Sequence, residues 1–273
     1  MAIKSIPASA GGTDLVRHLA ADGFRIFTVE EAAALAPAAG ISRGYLNEAL
    51  HRLARTGWIV RLRKGLYAIS SVVPGVLPVH EFDVAMALME PAAISHWSAM
   101  LHHGLTRQVP MVVFVSTSAR RIPRRRGAAG SVYPVDDFRY RFVQTKPERF
   151  FGTEEIWVGD ARVTITDPER TLVDGLMMPQ HCGDLADVLH AFDMRGDAVD
   201  LDRILAYALR LDDATVKRLG WVLERRRVSE KILEPLQSAP IKGYRRLDAS
   251  GPAAGPRNRR WMLQENLPGT RAP

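Results

Sequence analysis

Over residues 1–80 the spacing of apolar positions changes period at each punctuation residue. Leu15, Val16 and Leu19 share one helical face in a segment that the spacing predicts to open at Thr13, run through Asp22 and stop at Gly23. Thr28-Val-Glu-Glu31 has capping-box spacing, in which the Thr and the Glu three residues on satisfy each other's free backbone N–H groups. It opens a short helix that ends before Pro37. Ser42 is the expected cap of a third helix. There Leu46, Ala49, Leu50 and Leu53 recur at helical spacing, while Gly44, Asn47, Glu48, His51 and Arg55 face the other way, with a stop at Gly57. The period then drops to two. Residues 58–63 and 66–69 alternate on either side of Lys64-Gly65, which reads as a β-hairpin. Three short helices followed by a hairpin make a winged helix-turn-helix.

Residues 70–78 carry two prolines and a glycine without helical period and are expected to be a linker. Helices are expected over about 79–89 and 95–103, closed by Pro91 and Gly104, and a buried strand over 111–116. Five arginines then fall within residues 120–126, followed by a loop through Gly130. Residues 140–146 alternate as a strand. Residues 156–158 and 161–165 flank Gly159-Asp160 as a hairpin with glycine first in its turn. Thr166-Asp-Pro-Glu169 starts a helix through Leu176, with Pro in its first turn and acids facing the helix dipole. Three or four further helices fill about 184–236, and in the Pro-, Gly- and Arg-rich tail only Trp261-Met-Leu has strand character. The expected class is α+β. A winged helix-turn-helix over 1–75 precedes a larger mixed α/β domain over 79–273.

Composition agrees with two packed domains. The chain has 273 residues, 47% of them apolar and 25% charged, with a mean hydropathy of -0.09, which suits a globular chain rather than a disordered one. Its apolar runs, such as 84–89, fall far short of the roughly 20 residues of a membrane-spanning helix. The first twelve residues lack the apolar core of about 7–15 residues that a secretory signal needs, so a cytoplasmic location is expected. Cys182 is the only cysteine, which rules out an intrachain disulfide and a four-cysteine zinc site. The net charge of +7 is uneven. Nine basic and five acidic groups lie in 1–80, ten and six in 81–150, five and twelve in 151–210, and thirteen and seven in 211–273. A basic chain with one acidic belt suits a polyanionic partner such as double-stranded DNA.

The third helix and the hairpin hold the candidate DNA contacts. Ser42, Arg43, Tyr45, Asn47 and His51 are the polar side chains that such a helix presents to base edges in the major groove. Arg61, Arg63 and Lys64 sit where a wing meets phosphates, with Arg61 and Arg63 on one strand face and Leu62 inward. The alternatives are a solvated polar face and charged protection of a strand edge. Arg120, Arg121, Arg124, Arg125 and Arg126 form a positive patch open to DNA phosphate, RNA, an acidic partner or solvent. His96, His102 and His103 lack the i, i+4 spacing of a helical metal pair and read as packing or surface residues. Asp167, Glu169 and Asp174 could hold Mg²⁺ in a nuclease, but capping accounts for the first two and no catalytic lysine accompanies them. No G-x-x-x-x-G-K-[ST], G-x-S-x-G or H-E-x-x-H is present, so no cofactor, metal or catalytic residue is expected.

Four segments together resemble the AbiE-type (AbiEi) antitoxins of bacterial abortive-infection systems. They are Trp58-Ile-Val-Arg-Leu-Arg-Lys-Gly-Leu-Tyr67, Ala93-Ile-Ser-His-Trp-Ser-Ala-Met-Leu-His-His-Gly-Leu105, Ile165-Thr-Asp-Pro-Glu-Arg-Thr-Leu-Val-Asp174, and the Gly/Pro stretch before Asn258-Arg-Arg-Trp261. The wing segment alone is shared by many regulators, and the third segment, downstream of a winged helix, is much more specific. The resemblance implies a transcriptional autorepressor that binds inverted repeats in its own operator. It also implies a non-catalytic antitoxin against a nucleotidyltransferase toxin encoded beside it, in antiviral defence, and leaves open whether the toxin is touched directly. The competing readings are a metal-dependent nuclease targeted by its winged helix and a protein-binding module.

Overall fold

The structure, a computed structural model, describes residues 10–70, 78–123, 132–195 and 198–267. In chain order the first elements are α1 (Ala10–Ala21), β1 (Ile26–Thr28), α2 (Val29–Leu35), α3 (Leu46–Arg55), β2 (Ile59–Arg63) and β3 (Leu66–Ile69). There follow α4 (Glu81–Leu88), β4 (Ala93–Ile94), α5 (His96–His102), β5 (Val113–Thr117), β6 (Val132–Val135), β7 (Phe138–Gln144), β8 (Thr153–Val158) and β9 (Ala161–Thr166). The chain continues with α6 (Pro168–Met177), α7 (Leu185–Arg195), α8 (Leu201–Leu209), α9 (Asp213–Arg225), α10 (Glu230–Ser238), β10 (Arg245–Arg246), β11 (Arg257–Asn258) and β12 (Leu263–Gln264). Contacts group the chain into two compact units. One takes in the described residues of 1–90, 121–140 and 157–162, the other those of 91–120, 141–156 and 163–273. Among the described residues no helix is long and apolar enough to cross a membrane.

The first unit contains the expected winged helix. The Thr28 capping box forms in both directions, Glu31 N donating to the Thr28 hydroxyl at 3.2 Å and Thr28 N to the Glu31 carboxylate at 2.6 Å. Leu46, Ala49, Leu50 and Leu53 of α3 are buried with Leu15, Leu19, Phe27 and Ile59, a core drawn wholly from residues 15–69. Helix α3 ends in a Schellman motif, with Gly57 at φ 78°, its N–H on the Ala54 carbonyl and the Trp58 N–H on that of Leu53. Gly65, at φ 77°, turns the hairpin. The sheet order is β1-β3-β2, so the wing has a third strand that three residues could not announce by alternation.

Two expected caps are corrected. Helix α1 already runs from Ala10, which puts Thr13 inside it. Its glycines are kept because a Cβ on Gly11 would lie 3.1 Å from the Ala39 carbonyl oxygen and one on Gly12 3.3 Å from Leu53, so close packing overrides helix propensity. Ser42 does not cap α3. Its carbonyl accepts from Tyr45 N at 3.0 Å in a turn, and Tyr45 is the N-cap, without a side-chain cap bond.

In the second unit β4 is antiparallel to β5 and pairs in parallel with β9 at Ile94 and Ile165. The expected hairpin around Gly159 forms as β8 and β9, with Gly159 at φ 60°. Asp167 caps α6, accepting from Arg170 N at 2.7 Å, and Pro168 takes the first helical position, where its missing N–H costs nothing. Glu169 is not a cap of α6. It is buried and accepts from Asp200 N at 2.9 Å, at the start of α8. Helix α6 packs against α5, α7, α8 and α9, around a core that includes Leu172, Leu176, Phe192, Leu219 and Trp261. The tail folds back as a small sheet in the order β10-β12-β11. Of the expected linker, residues 71–77 lie outside the described residues, as does most of the loop after Arg121.

Candidate nucleic-acid interface

The packing that buries one face of α3 leaves the other outward. Asn47, Glu48, His51 and Arg55 are exposed, as are Ser42, Arg43, Gly44 and Tyr45 in the turn before the helix. Because Tyr45 rather than Ser42 is the N-cap, Arg43 and Tyr45 belong to the entering turn, and of the candidate contacts only Asn47 and His51 lie on the helix itself. Gly44 is neither crowded nor at positive φ, and a Cβ there would meet nothing within 4 Å. The fold therefore does not require glycine at this position, and its bare backbone leaves room for close approach of a ligand. Glu48, the one carboxylate on this face, is held 3.7 Å from Arg52 one turn on.

The wing alternates as its sequence predicts. Arg61 and Arg63 are exposed, Leu62 between them is 2% exposed, and Lys64 lies in the turn. The pairing of β2 with β3 shifts register between Arg61 and Arg63, an irregularity that re-aims a side chain at the strand end. The wing is braced from within the same unit: the Tyr133 hydroxyl, on β6, donates to the Leu62 carbonyl at 2.8 Å. A second hydroxyl, Tyr140 on β7, donates to the Glu81 carbonyl of α4 at 2.9 Å. Neither brace was legible in sequence, since a tyrosine 71 or 59 residues downstream carries no local sign of its partner.

Arg121 is exposed and lines a cleft with Arg63 and Lys64. Arg120 is also exposed, but Arg124, Arg125 and Arg126 lie outside the described residues. Among the candidate cations, the structure thus brings Arg121 together with the wing.

The three acids weighed as a nuclease cluster are committed to other partners. Asp167 accepts from the Tyr207 hydroxyl at 2.8 Å as well as capping α6. Glu169 faces Arg203 at 3.5 Å, and Asp174 faces Arg170 at 2.9 Å. Burial raises the Asp167 and Asp174 carboxyls above their ordinary range, against the pull of their donors. Among the described residues no three His, Cys, Asp or Glu side chains are placed to hold a metal ion. His103 bonds the Thr166 carbonyl at 2.7 Å and His96 is fully buried, while Cys182 is a buried free thiol raised well above its ordinary pKa by desolvation.

The crystal structure of the RV2827C protein from Mycobacterium tuberculosis matches this one with a TM-score of 0.68, covering 96% of this chain and 92% of that one. At 16% identity the likeness is one of fold. No curated protein matches the sequence significantly. Residues 14–70 match the model of the family described as transcriptional regulator, AbiEi antitoxin. The matched segment takes in most of α1, then β1, α2, α3 and both strands of the wing, the elements that carry the candidate DNA contacts.

Proposed function

We propose that the chain is a non-catalytic, cytoplasmic autorepressor of its own operon and the antitoxin of a nucleotidyltransferase toxin encoded beside it. The observation that carries this reading is the family match over residues 14–70, the segment that exposes the polar face of α3 and the basic wing. In this reading Ser42, Arg43, Tyr45, Asn47 and His51 meet base edges and backbone in the major groove. Arg61, Arg63 and Lys64 meet phosphates, which fix register without reading sequence. Two copies on the two halves of an inverted repeat give the operator its symmetry. Residues 79–273 carry the antitoxin task. Asp167, Glu169 and Asp174 are engaged in a helix cap, a backbone hydrogen bond and an ion pair, which supports a non-catalytic role.

Binding of the full chain to duplex DNA from immediately upstream of its reading frame, against a scrambled duplex, tests the repressor role. A reporter driven by the same DNA should be silenced. Plasmid DNA incubated with Mg²⁺ should shift in mobility and stay uncut. Equal affinity for both duplexes, or cleavage lost in Asp167→Ala, refutes the reading.

A further inference from the structure

We propose that the cleft shared by Arg63, Lys64 and Arg121 takes a phosphate of the DNA backbone, which makes Arg121 part of the DNA interface although it lies far outside the winged helix in sequence. The inference rests on the DNA-binding role proposed above and extends its footprint.

The cleft is open, about 420 Å³, and lies wholly within the first unit. Among the described residues that line it, the charged donors are the three cations. Among the described residues none of them pairs with a carboxylate, although Glu90 also lines the cleft. Leu88, Met89 and Tyr133 are buried lining residues, and Ile122 and Pro123 are half-buried. Tyr133 has its hydroxyl directed to the Leu62 carbonyl. A sugar or a nucleobase needs acceptors as well as donors, and among the described residues that line the cleft Glu90 supplies the only acidic side chain. A ligand carrying negative charge and acceptor oxygens, with no need of acceptors in return, matches the lining. A phosphodiester has that chemistry, and an arginine fork can hold two of its oxygens at once.

The source of that phosphate follows from the neighbours. Arg63 and Lys64 are the end of the wing, the element that tracks the backbone beside the reading helix in this proposal. A groove continuous with them extends a DNA track rather than opening a separate site. The Tyr133 bond holds strand β2 against β6, so the wing cations are presented on a braced element. Arg121 then adds affinity and salt dependence without adding sequence preference.

The test uses the full chain and its upstream duplex over a salt series. Removing one phosphate contact lowers the magnitude of the slope of log K against log salt by about 0.9. Arg121→Ala and Arg63→Ala should each lower it by about that amount, and the double variant by about twice as much. The ratio of upstream to scrambled affinity should be unchanged. Arg139→Ala, which removes an exposed arginine of the same unit, should leave the slope as it is. Circular dichroism of each variant checks that it folds. If Arg63→Ala lowers the slope and Arg121→Ala does not, the cleft proposal fails and the wing keeps its role. If Arg121→Ala instead weakens binding to single-stranded RNA with DNA binding intact, the proposal is again overturned. A wild-type chain that does not prefer its upstream duplex removes the underlying reading, and this proposal with it.

Discussion

Gly220 leaves room for Trp261: a Cβ on Gly220 would lie 2.0 Å from Cζ3 of the indole. A glycine inside α9 costs the helix about 1 kcal/mol relative to alanine, and the docked tail offsets that cost. Trp261 is fully buried, its Nε1 donates to Glu224 at 2.6 Å, and the Arg260 guanidinium lies 5.3 Å from its ring centroid. Gly220→Ala should therefore destabilise by about 1–3 kcal/mol in spite of its better propensity, because the added methyl has nowhere to go. Trp261→Ala should cost about 3–5 kcal/mol. In the double variant the methyl enters vacated space, so urea denaturation should give less than the sum of the two losses. Strict additivity would show that the two residues do not compete for one volume.

Arg170 and Asp174 should be the most sensitive charged pair. They meet at 2.9 Å with side chains 5% and 1% exposed, and Arg170 also donates to the carbonyls of Arg149 and Phe151 at 2.9 and 3.1 Å. Removing one partner of a buried pair strands the other charge, at about 3–5 kcal/mol. Asp174→Ala should lose that much in equilibrium denaturation, and Asp174→Asn, which keeps an acceptor for Nε, should lose less. Equal losses would make charge, not the hydrogen bond, the stabilising feature.

What was legible in the sequence was local. The capping box at Thr28, the stripe on α3, the hairpin around Gly65 and the cap at Asp167 are each set by neighbours within a few residues, and each forms. Strands β1, β4 and β6 run for two to four residues, too short for alternation to register, and exist because a longer partner is present. The α1 and α3 starts were misplaced because close packing at Gly11 and Gly12 and the turn at 43–45 outweigh local cap preference. At the candidate interface the side chains on α3 and the wing were readable from period alone. The approach of Arg121 to Arg63, like that of Tyr133 to Leu62, is a product of tertiary folding.

Acid should weaken the fold through His96. The ring is fully buried with Nδ1 bonded to the Ser95 hydroxyl at 2.8 Å, and desolvation, helped by His181 and Arg170, lowers its pKa from 6.5 to about 3. Between those values the unfolded chain binds the proton and the folded chain does not. Stability therefore rises with pH in that window and is lost as pH falls through it, by about 1.4 kcal/mol per unit. His181, lowered by its burial, acts in the same sense, while the raised carboxyls Asp167 and Asp174 act in the opposite one. Comparing variants isolates His96. Asn tolerates the left-handed backbone at φ 51° and does not titrate, so the denaturation free energy of His96→Asn should fall less steeply from about pH 6.5 downward than that of wild type. Parallel profiles would remove His96 as the cause.

Specificity should reside in the residues at the start of α3. Arg43→Ala and Asn47→Ala should each reduce the preference for the upstream duplex over a scrambled one by about 1–3 kcal/mol at a single salt concentration, the worth of a base-edge contact. Uniform losses on both duplexes would assign the two side chains to phosphate.

The two activities should separate along the chain. Residues 1–75 contain the whole cluster that runs from Leu15 to Ile59, so this fragment should fold and bind DNA. It should bind more weakly than the full chain, with a shallower salt slope, because it lacks both Arg121 and the Tyr133 bond to Leu62. The antitoxin task proposed for residues 79–273 does not depend on repression. Toxin and fragment expressed from unrelated inducible promoters make repression irrelevant, and colony survival then reads neutralisation alone. The full chain should rescue growth and residues 1–75 should not. Rescue by the fragment would place the protective activity in the winged helix and leave residues 79–273 without the role proposed for them.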